Sequence, residues 1–247
     1  MSDINPVAYG TYRLLDDECF TCVVNAIKLG YRTIDTAILY KNHEQVGKAI
    51  NFCISGGYIK REELFITSKV HNRDQKTYNT YEACKKIVSE LGLDYIDCIL
   101  LHSYIKNRSV KAYEELIRAR DDGIVRYIGV SNFTIPNLEQ IKMYEKPYIN
   151  QIELSVYFQR NELVRYCKEM NITLQAHSCL TNQLKKDIDL PISKMIAWCL
   201  YKNINVVVGA TCLEYMIENL NVDVKKYTDL DKLDEKNENF CIYKRYL

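Results

Sequence analysis

The chain has 247 residues, enough to bury one large hydrophobic core without disulfides or a structural metal. Lys and Arg together number 33 and Asp and Glu number 32, so the net charge is close to zero. A balanced charge argues against nucleic acid or an anionic membrane surface as the main partner. The sequence also has no apolar run of about 18 residues, the length that a membrane-spanning helix needs. Neither a nucleic-acid partner nor a membrane partner is therefore expected.

The ten cysteines are expected to stay reduced, because the opening MSDINPVAYG lacks the basic and apolar segments of a secretory signal. The same feature predicts a cytoplasmic protein. Cys19 and Cys22 form a C-x-x-C pattern, which is compatible with a redox pair. The acidic residues Asp16, Asp17 and Glu18 beside them should raise the thiol pKa values, which favours a structural role. The remaining cysteines show no metal-ligand spacing, so no metal is expected.

Short apolar or β-branched runs, each followed by a loop, recur along the whole chain and predict strands. The predicted strands are Pro6–Tyr12, Tyr31–Ala37, Leu64–Val70, Tyr95–His102, Val125–Asn132, Tyr148–Leu154, Ile172–Ser178 and Ile204–Ala210. Segments with helical spacing of apolar residues lie between them, and two of these segments end at a glycine, Gly92 or Gly123. The predicted helices include Asp16–Leu29, Thr77–Leu91, Val110–Asp122, Pro191–Asn203 and Cys212–Val222.

Strands that alternate with helices predict parallel βαβ units. Eight such units favour a closed (β/α)8 barrel, or TIM barrel, as one domain over residues 1–247. An open dinucleotide-binding sheet would carry a glycine-rich turn after its first strand. The first strand here includes Ala8–Tyr12, and no G-x-G-x-x-G occurs in the sequence. The α/β fold class is therefore predicted to be a barrel.

Four polar side chains lie at or just after the carboxyl ends of three neighbouring predicted strands, where barrel enzymes place their sites. They are Asp35 and Tyr40 after the second strand, Lys69 in the third and His102 at the end of the fourth. Each has a plain structural interpretation: a helix cap for Asp35, a surface charge for Lys69 or a core histidine for His102. Their combination at one rim is the reason for assigning them to a catalytic site.

The chemistry of this set is specific. A tyrosine phenol with a pKa near 10 needs help to exchange protons near neutral pH, and a neighbouring ammonium such as Lys69 should lower that pKa. Asp35 can supply the counter-charge for a buried lysine. A neutral imidazole at His102 can donate a hydrogen bond to a carbonyl oxygen and orient it. The set suits reduction of a C=O group or oxidation of an alcohol, with the hydride coming from a cofactor.

Longer segments around these residues resemble the aldo-keto reductase family. The similar segments are Gly30–Ala37 with Tyr40 and Asn42–Gly47, then Leu64–Val70, Leu93–Asp97 with Leu100–His102, Gly123–Phe133 and Asn150–Glu153. They occur in the family's order and span most of the chain. The segment Gly123–Phe133 is the most specific of them.

The resemblance implies an NADP(H)-dependent reductase of aldehydes and ketones, with NAD(H) as the alternative cofactor. Tyr40 would be the general acid, Lys69 would tune its pKa, Asp35 would pair with the lysine and His102 would orient the carbonyl. Ser131, Asn132 and Gln151 would hold the nicotinamide carboxamide. The wider cofactor set that the resemblance suggests is Gly10, Thr11, Tyr12, Ser131, Asn132, Gln151, His177, Ser178, Leu180, Thr211, Glu218 and Asn219.

The sequence departs from the family pattern where the cofactor is expected. His177 takes the position of a tyrosine whose ring stacks on the nicotinamide, and a protonated imidazole would oppose the oxidised ring. The connection 181–190 is short, with Lys185 and Lys186 as its available positive charges. Ala210 and Met216 stand where many relatives have basic residues for the 2′-phosphate. Weaker cofactor binding is the prediction.

The expected substrate rim is polar. His71 and the pair Ser103–Tyr104 replace bulkier residues of similar proteins, which predicts small or polar carbonyl substrates. A monomer is expected. Two alternatives stay open at this point. The chain could be a catalytically weak nucleotide-binding sensor or regulator of the same fold. It could also be a barrel lyase that uses Lys69 as a Schiff-base amine.

Overall fold

A computed structural model describes residues 4–180, 189–238 and 241–242. Its strands form a closed barrel in which eight parallel strands pair in chain order and the eighth pairs with the first. The predicted single (β/α)8 barrel is confirmed. Among the described residues, no helix combines the length and the apolar character that crossing a membrane requires.

The strands are β1 Val7–Gly10, β2 Thr33–Asp35, β3 Phe65–Val70, β4 Ile96–Leu101, β5 Val125–Ser131, β6 Ile149–Glu153, β7 Thr173–His177 and β8 Asn205–Val208. The helices are α1 Asp16–Leu29, α2 His43–Ser55, α3 Asn72–Lys76, α4 Thr80–Leu91, α5 Ser109–Asp121, α6 Ile135–Ile141, α7 Asn161–Glu169, α8 Ile192–Tyr201 and α9 Leu213–Leu220.

Each predicted strand is present, although most are shorter by one or two residues at their ends. The helix Asp16–Leu29 is confirmed to the residue: acidic side chains occupy its first turn, and Gly30 at φ 109° ends it. The predicted helix Thr77–Leu91 is wrong at its start. A separate helix, α3, precedes it, and Tyr78 at φ 55° interrupts the chain before α4 begins.

Cys19 and Cys22 lie on the buried face of α1 and pack into the core between helices and barrel. Burial, the neighbouring Cys22 and the acidic Glu18 and Asp16 raise the pKa of Cys19 to about 12. A thiol with so high a pKa is a poor nucleophile and a poor redox group. The structural role predicted for this pair is confirmed.

The barrel interior is apolar at the amino-terminal end of the strands and polar at the carboxyl end. A buried cluster of Ile4, Phe65, Cys98, Leu100 and Ile149 forms the apolar part, with Tyr127 and Tyr148 packed against it. Because alternate residues of a strand share a face, Lys69 points to the same side of β3 as Phe65, four residues earlier. The strand alternation therefore places the lysine above the apolar floor.

Gly47 sets the approach of α2 to α4. A Cβ atom at this position would overlap the backbone of Leu91, the last residue of α4. We expect Gly47→Ala to lower the free energy of unfolding by about 3 kcal/mol, at the upper end of the usual cost of overpacking, because backbone has to move. Urea unfolding followed by circular dichroism measures this. Lys48→Ala, one residue later on the exposed side of the same helix, should change it by no more than about 0.5 kcal/mol. Equal effects of the two variants would contradict the close-approach argument.

Candidate active site

A cavity of about 710 Å³ opens at the carboxyl ends of the strands. Twelve of the residues predicted from the sequence line it. They are Gly10, Tyr12, Asp35, Tyr40, His102, Ser131, Asn132, Gln151, His177, Ser178, Leu180 and Thr211. The strand ends thus bring the proton-transfer residues and most of the expected cofactor residues to one place.

Lys69 holds the proton-transfer residues together. Its Nζ donates to Asp35 Oδ1 at 2.5 Å, to the carbonyl of Thr36 at 3.1 Å and to the Tyr40 hydroxyl at 3.2 Å. Lys69 and Asp35 are each 1% exposed. Tyr40 reaches this group from a single 3-10 turn, Ile38–Tyr40, after which Lys41 adopts the left-handed conformation. The predicted set of Asp35, Tyr40 and Lys69 is therefore in direct contact.

Lys69 stays charged despite its burial. Burial by itself would lower the pKa of this ammonium, but the Asp35 carboxylate and the Tyr40 hydroxyl oppose that effect, and the net pKa is raised. A charged ammonium donates hydrogen bonds but has no lone pair for attack on a carbonyl, so it is a poor nucleophile for Schiff-base formation. The lyase alternative loses its chemical basis at this site.

The pKa of Tyr40 differs in direction from the sequence prediction. Lys69 acts to lower it, as predicted, but burial of the phenol is the larger effect and Asp35 adds to it, so the pKa of Tyr40 is raised above 10.0. The prediction left out the burial of the phenol and the effect of the Asp35 carboxylate on its pKa. In the structure burial and Asp35 together outweigh Lys69, and Tyr40 keeps its proton at neutral pH.

His102 follows β4 and lines the cavity beside Tyr40. The two rings meet edge to face, with centroids 6.1 Å apart and an interplanar angle of 81°. Its backbone N–H donates to the carbonyl of Val70 on the neighbouring strand, which sets the end of β4 against β3. An imidazole and a phenol that share one wall of a cavity can both reach the oxygen of a carbonyl placed there.

The side chains expected to hold a carboxamide are already hydrogen-bonded within the protein. Asn132 Nδ2 donates to the carbonyl of His102 and to Ser131 Oγ. Gln151 Nε2 donates to Asp35 Oδ2 and to Gln175 Oε1, both at 2.7 Å. This leaves the Ser131 hydroxyl as donor and the Gln151 oxygen as acceptor. A carboxamide needs one of each, so the residues fit a nicotinamide.

His177 ends β7 and is bonded to the residue opposite. Its Nε2 lies 2.9 Å from Asn132 Oδ1, and its Nδ1 lies 3.1 Å from Ser178 Oγ. Burial, with the positive charges of Lys69 and Arg160, lowers the pKa of His177 to about 3. The imidazole is therefore neutral at physiological pH. A positive charge on His177, as considered from the sequence, would repel the oxidised nicotinamide ring. The neutral imidazole carries no such charge.

Some predicted cofactor residues lie away from the lining of the cavity. Thr11 is buried beneath the rim, where its hydroxyl donates to the carbonyl of Asp35. Glu218 and Asn219 lie on α9, with Asn219 buried. Met216 packs in the core and does not occupy a surface position where a basic residue would act. Lys185 and Lys186 lie outside the described residues.

None of the three residues predicted for the substrate rim lines this cavity, and each has a hydrogen-bond partner within the protein. His71 Nδ1 accepts from the backbone N–H of Arg73 and caps α3. Ser103 is buried and donates to Asn72 Oδ1 at 2.9 Å. Tyr104 donates to Gln140 outside the barrel mouth. Their contact with a substrate stays a prediction.

Other residues of the site were missed in the sequence. Arg13 lines the cavity with its guanidinium 5.3 Å from the centre of the Tyr12 ring, and Ile242 lines it from the end of the chain. Gln175 lies beside Gln151 inside the barrel. Alternation along β7 could have indicated Gln175, since it shares a face with His177. No sequence signal marks Ile242, which reaches the site only through the tertiary fold.

Comparison with known proteins gives the family. The family model described as Aldo/keto reductase family matches residues 6–191. The chain belongs to the aldo/keto reductase family. Glyoxal reductase of Bacillus subtilis is 38% identical over 236 residues, covering 90% of this chain and 84% of that protein. Methylglyoxal reductase DkgB of Escherichia coli O157:H7 is 33% identical over 244 residues, covering 92% and 89%.

A solved structure agrees with this assignment. The aldo-keto reductase of Bombyx mori in complex with NADP superimposes with a TM-score of 0.86 at 27% identity, covering 96% of this chain and 91% of that one. This aldo-keto reductase is therefore an NAD(P)H-dependent oxidoreductase. The fold, the family and the class of enzyme follow together.

The tautomer of His177 is testable by nuclear magnetic resonance. Because its Nε2 faces an amide oxygen and its pKa is near 3, we expect one protonated and one unprotonated ring nitrogen, unchanged between about pH 8 and pH 5. A long-range ¹H–¹⁵N spectrum across this range measures both nitrogens. The His177→Gln variant identifies the signals by their loss. A ring that titrates near its ordinary value of 6.5 would contradict the neutral, bonded imidazole.

Proposed function

We propose that this aldo-keto reductase reduces small aldehydes or ketones to alcohols, with Tyr40 as general acid, Lys69 and Asp35 tuning it and His102 orienting the carbonyl. The main support is the contact of the Tyr40 hydroxyl with the buried Lys69–Asp35 ion pair at the wall of the cavity. A phenol in that contact can give up its proton as an alkoxide forms, because the adjacent ammonium stabilises the resulting phenolate.

The raised pKa of Tyr40 favours the reductive direction. A general acid must carry its proton before the reaction, and Tyr40 does so throughout the neutral range. Oxidation of an alcohol by the same site would need the phenolate, which is scarce below pH 10. The enzyme is therefore proposed to work as a carbonyl reductase. Two curated relatives are named for reactions in this direction.

The nicotinamide end of NADP(H) would lie beside Ser131 and Gln151, with the rest of the cofactor along the cavity toward Thr211. When bound, the cofactor supplies the hydride. Asn132 and His177 would form the side wall, and the amino end of α9 would face the phosphates through its backbone N–H groups. The silkworm enzyme's complex with NADP supports this choice of cofactor.

Small, polar carbonyls fit the site as substrates. The cavity is lined by a phenol, an imidazole and amides around Tyr40, and the two relatives are named for glyoxal and methylglyoxal. We propose dicarbonyls of this size as the first substrates to assay. A cytoplasmic location and a monomeric state stay predictions from the sequence.

Replacement of Tyr40 tests the acid. Tyr40→Phe should lower kcat for reduction by about 10² to 10⁴, the usual contribution of a general acid, and leave the Kd for NADPH unchanged. Methylglyoxal-dependent NADPH oxidation and calorimetric titration measure the two quantities. Tyr58→Phe, which removes an exposed phenol far from the cavity, is the matched control. Retained activity in Tyr40→Phe would contradict the assigned role. Binding of nucleotide without turnover in the wild type would favour the sensor alternative.

The pH dependence tests the direction. Because the pKa of Tyr40 lies above 10.0, reduction should be constant from about pH 6 to pH 9 and decline only above the raised value. Alcohol oxidation should instead rise with pH over the same range, since it needs the phenolate. Initial rates in both directions across this range measure the two profiles. A reductive rate that falls near pH 7 would show a depressed phenol pKa and contradict the structure.

A lysine at position 210 tests recognition of the 2′-phosphate. Ala210 lines the cavity, and its carbonyl is fixed by the Tyr9 hydroxyl at 2.6 Å, so a longer side chain there would project from a rigid point. Ala210→Lys should tighten binding of NADPH about tenfold and leave that of NADH unchanged. Ala210→Met adds similar length without charge and should change neither. Equal gains for both cofactors would place the 2′-phosphate elsewhere.

A further inference from the structure

Gln175 has a buried side-chain amide of which only the oxygen is hydrogen-bonded. It lies in β7 and is 1% exposed. Its Oε1 accepts from Gln151 Nε2 at 2.7 Å, while its Nε2 has no hydrogen-bond partner among the described residues. Leaving a buried donor unsatisfied costs about 1–3 kcal/mol, and an apolar side chain of the same shape would avoid that cost. The nitrogen adds nothing to stability, so the reason for an amide at this position must lie with its oxygen and the Gln151 contact.

The contacts of Gln151 show what Gln175 does. The Gln151 nitrogen lies 2.7 Å from both Asp35 Oδ2 and Gln175 Oε1. An ionised carboxylate only accepts hydrogen bonds, so the nitrogen of Gln151, and not its oxygen, must face Asp35. That nitrogen carries two hydrogens, and Gln175 takes the second. With both hydrogens held inside the barrel, the Gln151 oxygen is the atom left for the cavity.

We propose that Gln175 is a positioning residue that fixes the orientation of the Gln151 amide. This orientation has two consequences, and the second rests on the proposed function. It keeps a hydrogen bond on the Asp35 oxygen that Lys69 does not use. It also presents a carbonyl oxygen to the cavity, where it would accept from the N–H group of a nicotinamide carboxamide. One buried side chain thus links the acid–base residues to the cofactor-binding wall.

Loss of Gln175 has a predictable direction. Without its second acceptor, the Gln151 amide is free to rotate, and Asp35 loses a charge-assisted hydrogen bond for part of the time. The less-shared negative charge of Asp35 then acts more strongly on Tyr40, whose pKa Asp35 already raises. The apparent pKa for alcohol oxidation should therefore move up. The cofactor should bind more weakly, because the acceptor for its carboxamide is no longer fixed.

The test compares two isosteric replacements inside the barrel. Gln175→Met removes the amide and keeps the volume. Thr67→Val is the matched control, because Thr67 is also fully buried on a barrel strand with an unpartnered side-chain oxygen and has no side-chain hydrogen bond to the site. Each variant removes an unsatisfied polar atom, but Gln175→Met also leaves one hydrogen of the buried Gln151 amide without its acceptor. The melting temperature should therefore fall modestly in Gln175→Met and stay near that of the wild type in Thr67→Val. A folding defect common to both would appear in that measurement.

Three measurements decide the proposal. In the free protein, the side-chain ¹⁵N signals of Gln151 should show slowly exchanging hydrogens in the wild type and in Thr67→Val, and fast exchange in Gln175→Met. The Kd for NADP⁺ should rise about tenfold only in Gln175→Met, an effect of the order of one hydrogen bond. The pH profile of alcohol oxidation should shift upward in the same variant.

Gln175→Glu is the rescue variant. A carboxyl group at this position still offers an oxygen to Gln151, so the slow exchange of the Gln151 side chain should persist. Wild-type exchange, affinity and pH profile in Gln175→Met would overturn the proposal, as would the same losses in Thr67→Val. The exchange measurement needs no cofactor. A wild type that neither binds NADP⁺ nor turns over would refute the proposed function, while the exchange result would still decide the role of Gln175.

Discussion

The buried ion pair of Lys69 and Asp35 is the interaction on which the site depends. Two charges that are both about 99% removed from solvent persist only because each is hydrogen-bonded on several sides. The Tyr40 hydroxyl and the Thr36 carbonyl accept the other hydrogen bonds of the Lys69 ammonium. Gln151 donates a hydrogen bond to the second carboxylate oxygen of Asp35. Gln151 comes from β6, and Thr36 and Tyr40 come from the segment after β2, so partners far apart in the chain meet inside the ring above an apolar floor. The polar upper layer and the apolar lower layer are therefore parts of one arrangement.

The same pair underlies the reductive direction that we propose for the site. A lone ammonium beside a phenol would lower its pKa and make it a base as readily as an acid. Burial of the phenol is the larger effect and Asp35 adds to it, so the phenol holds its proton. The ammonium remains close enough to stabilise the phenolate once it forms. Ground-state protonation and stabilisation of the product phenolate are thus supplied by different groups.

The cofactor side of the cavity is organised by amides and imidazole and carries few charges. Gln151 is hydrogen-bonded to Gln175 on β7, and Asn132 is hydrogen-bonded to His177 at the end of the same strand. The His177 imidazole is neutral. Such preorganisation reduces the cost of ordering the wall when a nucleotide binds. At the far end, Ala210 and the buried Met216 offer no positive charge, so the cofactor contacts that we propose lie at the nicotinamide and at the amino end of α9.

The sequence by itself determined the barrel, the family resemblance and the set of residues that we propose for proton transfer. These rest on local patterns: strand and helix periodicity, and polar residues at strand ends that parallel topology must bring to one rim. Only the tertiary structure decided the raised pKa of Tyr40, the neutrality of His177, the loop roles of His71, Ser103 and Tyr104, and the arrival of Ile242 at the cavity. Those properties depend on burial and on distances between residues far apart in the chain. Asp35 and Gln151, separated by 116 positions and joined by one hydrogen bond, show why local sequence does not contain them.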